Sequence, residues 1–218
     1  MLSISASQPD MLLVGLSINF DPQISTILSE SLCPLSGVVA EAAALIDELT
    51  ITPLRRFLNR ALLRREALRR YWTCPASRTD HHAYPGGLAE HSVEIATAIS
   101  TCRALPQLER ELGITYALLH DYGKIWWMDS ELRAPYERRN HEVLGRDMLK
   151  ADLEWLGHED LSIGLVMDEL LGGPAAPRTT GYPLAVRKIV QAFDQLSCEK
   201  TRGVLTATRA IYFPDEPF

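Results

Sequence analysis

The chain has 218 residues, enough for one domain with a sizeable core, and 46% of them are hydrophobic and 23% charged. Its formal net charge of -6 excludes a global field that draws nucleic acid, although a local cluster of cations can still do so. No apolar run approaches the roughly 20 residues that cross a bilayer, so no membrane partner is expected.

The first nine residues read as a loose lead-in, and Met11 to Phe20 as either a short strand or a buried turn. Residues 37–49, GVVAEAAALIDEL, predict a helix. Thr52 and Pro53 then look like an N-cap followed by proline at the first helical position. The helix they open is expected to run to about Trp72, with Leu54, Leu58, Ala61, Leu62, Leu68 and Trp72 on its apolar stripe. It also carries Arg55, Arg56, Arg60, Arg64, Arg65, Arg69 and Arg70, the first cations in the chain. Two readings of that face are open: arginine stems covering apolar surface, or an anion-facing surface in which Arg64 and Arg65 bind phosphates.

The next stretch, CPASRTDHHAYPGG, is rich in turn formers and reads as a loop. Helices are expected over about 88–104 and 112–122, the second stopped by Gly123, and then over about 139–156, 159–171 and 183–202. The segment GGPAAPRTTGYP reads as a loop. With no run of alternating strand residues, the fold class is all-α. The cysteines Cys33, Cys74, Cys102 and Cys198 are scattered without a C-x-x-C pair, which fits thiols of a reducing compartment. No cation precedes Arg55, so a secretory signal is not expected and a cytoplasmic location is.

Four ligand-type residues fall on inward faces. His120 and Asp121 end the apolar run YALLHDYGK. His91 shares a stripe with Leu88, Ile95 and Ile99, and Asp194 one with Val190. Polar groups so placed are costly unless satisfied, and a metal ion satisfies imidazole and carboxylate together. Fe, Mn, Zn, Mg and Ni are all compatible with such a donor set.

The order His, His-Asp, distant Asp resembles that of the HD phosphohydrolase superfamily. The blocks HHAYPGGLAEHSVEIA, LLHDYGKI, NHEVLGRDML and IVQAFDQLS are similar to those of one subgroup, the conjugative-transfer relaxases of the TraI type and the HD-domain 3′-to-5′ exoribonucleases. CPAS before HHAYPGG resembles the relaxase branch in particular. The resemblance covers roughly residues 55–202. It implies an HD-domain helical bundle at 55–218. Residues 1–54 resemble no part of that family and read as a helical extension of unassigned role, in one compact unit with the bundle.

The resemblance also implies a metal-dependent phosphoester hydrolase acting on nucleic acid or a nucleotide. His91, His120, Asp121 and Asp194 match the metal ligands, and Asp121 also orients a water. Lys124 matches a lysine facing the substrate phosphate, whereas its residue-level alternative is a charge at a helix C-terminus. His141 matches a histidine used for a second metal or for phosphate. His82 either touches a substrate oxygen or supports a ligand from behind, against a plain surface-loop histidine. His158 is expected near a helix start and exposed. The related exoribonucleases carry a further His pair where this chain has VMDELLGG. Asp168, read as inward beside Leu161 and Leu165, either replaces one of those ligands or the second metal position is absent. One tightly bound metal is expected, with His141 facing the pocket rather than ligating. A DNA- or partner-binding HD module with a structural metal, and a small-nucleotide phosphatase, are the alternatives.

Overall fold

A computed structural model describes residues 21–128, 140–172 and 184–212. The stretch Met11 to Phe20 and most of the expected loop at 172–183 lie outside the described residues. The described residues form helices and turns without a strand, in agreement with the expected all-α class.

Two single-turn 3-10 helices, Ile24–Thr26 and Glu30–Leu32, lead into α1, Val38–Asp47. The Asp47 carboxylate accepts from the Ile24 amide at 2.8 Å, tying the first turn to the end of α1. Helix α2 spans Thr52–Leu62 with proline in its first turn, as the sequence suggests, although Ile51 rather than Thr52 is the N-cap. The expected long arginine helix is broken. Leu63 closes α2, Arg64 is extended, and α3 covers Arg65–Arg70. Tertiary bonds explain the break: the Arg64 guanidinium donates to the Met148 carbonyl at 2.7 Å and to Asp152 at 3.1 Å. Arg60 reaches the other oxygen of the buried Asp152 at 3.0 Å. Arg55 pairs with Asp21, and Arg56 with Glu159. Four of the seven arginines thus hold the fold together, while Arg65 and Arg69 are exposed.

Helices α4 (Gly87–Ser100) and α5 (Gln107–Leu119) form the central antiparallel pair. The short α6, Lys124–Trp127, follows α5 after a four-residue turn. The expected 139–156 helix is two helices, α7 (His141–Met148) and α8 (Lys150–Glu159), and α9 spans Leu161–Leu171. His158 is exposed but sits in the last turn of α8, not at a helix start. Helix α10, Leu184–Tyr212, lies across α4 and α5, and α1 packs on the other side of α4. Among the described residues no helix is long and apolar enough to cross a membrane.

The core is one cluster running through all these helices. Tyr71, Trp72, Tyr122 and Phe57 are its largest fully buried side chains. Each such ring contributes about 2–3 kcal/mol by leaving water, and the hydroxyls find partners as buried hydroxyls must. Tyr71 donates to the Leu118 carbonyl at 2.8 Å and Tyr122 to that of Ala61 at 2.9 Å. These bonds fasten α2 and α3 to the C-terminal end of α5, where the site lies.

Candidate metal centre

His91 projects from the inward face of α4 and is fully buried, with Leu88 and Ile95 as buried neighbours on that face. His120 caps α5 and Asp121 starts the following turn, both buried. Ligand atoms of His91, His120 and Asp121 all lie within 4.8 Å of one another. From α10, Asp194 places Oδ1 3.0 Å from His91 Nε2. Two cations or polar donors close the ring around Asp121: Lys124 Nζ is 2.6 Å from Oδ2, and His141 Nε2 is 3.0 Å from Oδ1.

Hydrogen bonds fix which ring nitrogens face inward. His120 Nδ1 lies 2.8 Å from the Ala117 carbonyl, which only accepts, so Nδ1 carries the hydrogen and Nε2 points to the site. Nε2 of His91 and Nε2 of His120 are both buried without a hydrogen bond. Orphaned buried polar atoms are uncommon and call for a partner. With metal–ligand bonds of about 2.1 Å, neighbouring ligand atoms stand about 3.0 Å apart in octahedral and about 3.4 Å apart in tetrahedral coordination. The His91–Asp194 contact is 3.0 Å and the His120 Nε2 to Asp121 Oδ2 contact 3.4 Å, while His91 Nε2 to Asp121 Oδ2, at 3.9 Å, is wider than either spacing. The donors and their spacing therefore suit a divalent cation.

The electrostatics lean the same way. Burial opposes ionisation of Asp121, but His120, Lys124 and His141 outweigh it and hold the carboxyl well below its usual range. Burial likewise opposes charge on Asp194, yet His91 and His120 keep it low. Burial pushes His91 below its ordinary value against the pull of Asp194. His120 is also desolvated, but Asp121 and Asp194 raise it to about 9. In the metal-free protein His120 thus supplies the positive charge that the carboxylates demand.

A pH dependence follows for the protein stripped of metal. The His120 contribution is fully present below its unfolded value of 6.5 and is lost as pH rises through about 9. The Asp121 contribution is present above the unfolded value of 3.8 and is lost as pH falls below it. Melting temperatures measured in chelator should therefore drop between about pH 6 and pH 9.5. A melting temperature that climbs across that interval contradicts the His120 assignment.

Behind the ligands lies a second layer, of which the sequence offered only His82 as a candidate. The loop before α4 tucks in because Gly86 takes a left-handed φ of 86° and Gly87 lies against the His82 carbonyl, where a Cβ would sit 2.1 Å away. His82 itself has φ 47° and is buried, not on the surface. Its Nδ1 meets Tyr84 Oη at 2.9 Å and Glu90 Oε2 at 3.0 Å, and its Nε2 meets Ser197 Oγ at 3.2 Å. Ser197 also contacts His91 and Glu94. His81 lies beside His91 with ring centroids 5.3 Å apart and with Nε2 3.3 Å from Cys198 Sγ. Burial and the neighbouring cationic groups lower its pKa. Toward solvent, the Trp127 ring stands 6.3 Å from His141, and the Arg78 guanidinium lies 4.9 Å over that ring. Ser197 was findable, being three residues beyond Asp194 and so on its helix face; Trp127 and Arg78 carry no such signal.

Three expectations are corrected. Asp168 does not face the site from an inward stripe. Leu161 and Leu165 are exposed, and both Asp168 oxygens are taken by Arg146 at 2.7 and 2.6 Å; the buried acid on this helix is the neighbouring Glu169. Arg64 is spent on Asp152 and Met148, facing α8 rather than an anion. Gly123 does not stop α5, which already ends at Leu119; it leads into α6 with φ -65° and permits α7 to approach. No disulfide joins the four cysteines, all of which are described.

No curated protein and no solved structure matches the chain. The family model of the HD domain matches residues 88–197, half of the 218 residues. That span opens on the helix of His91, includes the paired His120-Asp121 and closes just beyond Asp194. The chain belongs to the HD domain family, a superfamily of metal-dependent phosphohydrolases that bind divalent ions.

Proposed function

We propose that the protein hydrolyses a phosphoester bond in nucleic acid, with one divalent metal held by His91, His120, Asp121 and Asp194. The carrying observation is the pair of buried, unbonded Nε2 atoms of His91 and His120 set against two carboxylates. A divalent ion supplies a Lewis acid for the phosphoryl oxygen and lowers the pKa of a water.

The chain's own groups do the rest. Asp121 orients the attacking water through a carboxylate oxygen and is kept ionised by its neighbours. Lys124 holds its ammonium beside that carboxylate on a flexible stem, within reach of a phosphoryl oxygen as charge develops there. His141, a third exposed, stands between Asp121 and solvent and meets the phosphate on entry. Asp168 is engaged elsewhere, which supports one tightly held metal rather than two.

Nucleic acid is favoured over a small phosphate ester by the rim. Trp127, flanked by His141 and Arg78, offers an aromatic surface and a cation next to the phosphate position, the pairing that single strands use. The sequence blocks similar to TraI-type relaxases and HD exoribonucleases point to the same substrate, and the former to conjugative DNA transfer.

The test is a substrate panel for the metal-loaded protein: single-stranded DNA, RNA, a dinucleotide and nucleoside monophosphates, with DNA binding measured at two salt concentrations. Oligonucleotide cleavage is expected, with affinity falling steeply with salt. Trp127→Ala should weaken oligonucleotide affinity by about 1–3 kcal/mol and leave monophosphate turnover unchanged. Cleavage of monophosphates alone makes the protein a nucleotidase. Metal and DNA binding without any cleavage makes it a binding module.

A further inference from the structure

We infer that Ser197 is a positioning residue that sets the tautomer of His91 and thereby decides whether the site accepts a metal. This rests on the metal reading above. Ser197 is buried on α10, one turn beyond Asp194. Its Oγ lies 2.6 Å from Glu94 Oε2, 3.1 Å from His91 Nδ1 and 3.2 Å from His82 Nε2.

A hydroxyl has one hydrogen to give and two lone pairs to receive with. Glu94 is a carboxylate and only accepts, and so short a contact requires a hydrogen between the oxygens. The Ser197 hydrogen therefore goes to Glu94. The His91 contact must then be N–H donation into Oγ. His91 carries its hydrogen on Nδ1, and its Nε2 is left as a bare lone pair facing Asp194 and Asp121.

The alternative is built into the same pocket. Asp194 Oδ1 stands 3.0 Å from His91 Nε2, close enough to take a hydrogen there once the ring turns toward it. A neutral imidazole has one N–H, so Ser197 and Asp194 compete for it from opposite sides of the ring. When Ser197 holds it, Nε2 and Asp194 both turn lone pairs to a cation. When Asp194 holds it, the two satisfy each other and the position closes. Glu94 biases the competition by fixing the direction of the Ser197 hydroxyl. His82 Nε2, 3.2 Å from the same oxygen, links the loop before α4 to the ligand. Second-layer partners of this kind orient a metal-binding histidine and raise its basicity.

The experiment uses the full chain freed of metal. Long-range proton–nitrogen NMR reads the His91 tautomer, and calorimetry reads the affinity for Mn2+ and for Zn2+. The wild type should show His91 with its hydrogen on Nδ1. Ser197→Ala should move it to Nε2 and weaken either metal by about 10–100-fold, with the melting temperature of the metal-free protein little changed. Ser197→Thr, which keeps the hydroxyl, should restore both. Should Ser197→Ala not fold, Ser197→Cys, a weaker acceptor, must show the same two changes in smaller measure. A wild type with the hydrogen on Nε2, or a Ser197→Ala protein with unaltered tautomer and affinity, overturns the inference and leaves the metal reading standing. A wild type that binds neither ion removes the metal reading, and this inference with it.

Discussion

Asp121→Asn should leave the protein without bound metal and without hydrolytic activity. Asp121 touches every other member of the site except Asp194: His91, His120, Lys124 and His141 all lie within 4 Å of its oxygens. An amide matches the carboxylate in shape but lacks its charge and turns a donor toward the cations. The expected loss of metal affinity is at least about 100-fold, more than is typical when a supporting residue is lost. The metal-free variant should also lose about 3 kcal/mol of stability, because the buried Lys124 loses its carboxylate partner. Elemental analysis, thermal melts and the substrate panel check these together. Full metal occupancy in the variant refutes the ligand assignment.

Gly123→Ala should damage the fold and the site at once. A Cβ at this position would lie 2.0 Å from the His141 carbonyl oxygen and 2.6 Å from the Gly145 amide nitrogen. Both are backbone atoms, so no rotamer change relieves the clash, and α7 has to move as a body. Overpacking against side chains costs about 1–3 kcal/mol, and a backbone clash belongs at or above the upper end. The same movement lifts His141 away from Asp121, on which it rests at 3.0 Å. The variant should melt well below the wild type and turn over substrate more slowly even where folded. A wild-type melting temperature rules out this packing role.

The inward-facing His91, the end-of-helix His120-Asp121 and the distant Asp194 could be read from periodicity, because burial of a helix face leaves an apolar stripe around whatever polar residue shares it. The fold class was legible for the same reason. The stripe argument failed at Asp168. Its two leucine markers, Leu161 and Leu165, are themselves exposed, so they pointed to the wrong side of α9. The arginine run looked continuous because each residue favours a helix locally, whereas Arg64 leaves the helix for bonds to residues more than eighty positions away. Gly123 is a glycine for the sake of α7, a neighbour invisible in a local window. Ser197, Glu94 and Tyr84 escaped notice because small or charged residues acquire a role only from what the fold sets beside them.

The fastening of α10 onto α4 and its preceding loop joins residues 103 to 117 positions apart. Contacts of such span close a long loop of chain before any energy returns, so they belong to the slow, late part of folding. His91 and Asp194 meet only through that closure. Without it, His120-Asp121 faces no opposite wall of the pocket. With Asp194 among the ligands, as proposed, a metal would need the finished fold and would in turn tie the last helix to the first half of the bundle.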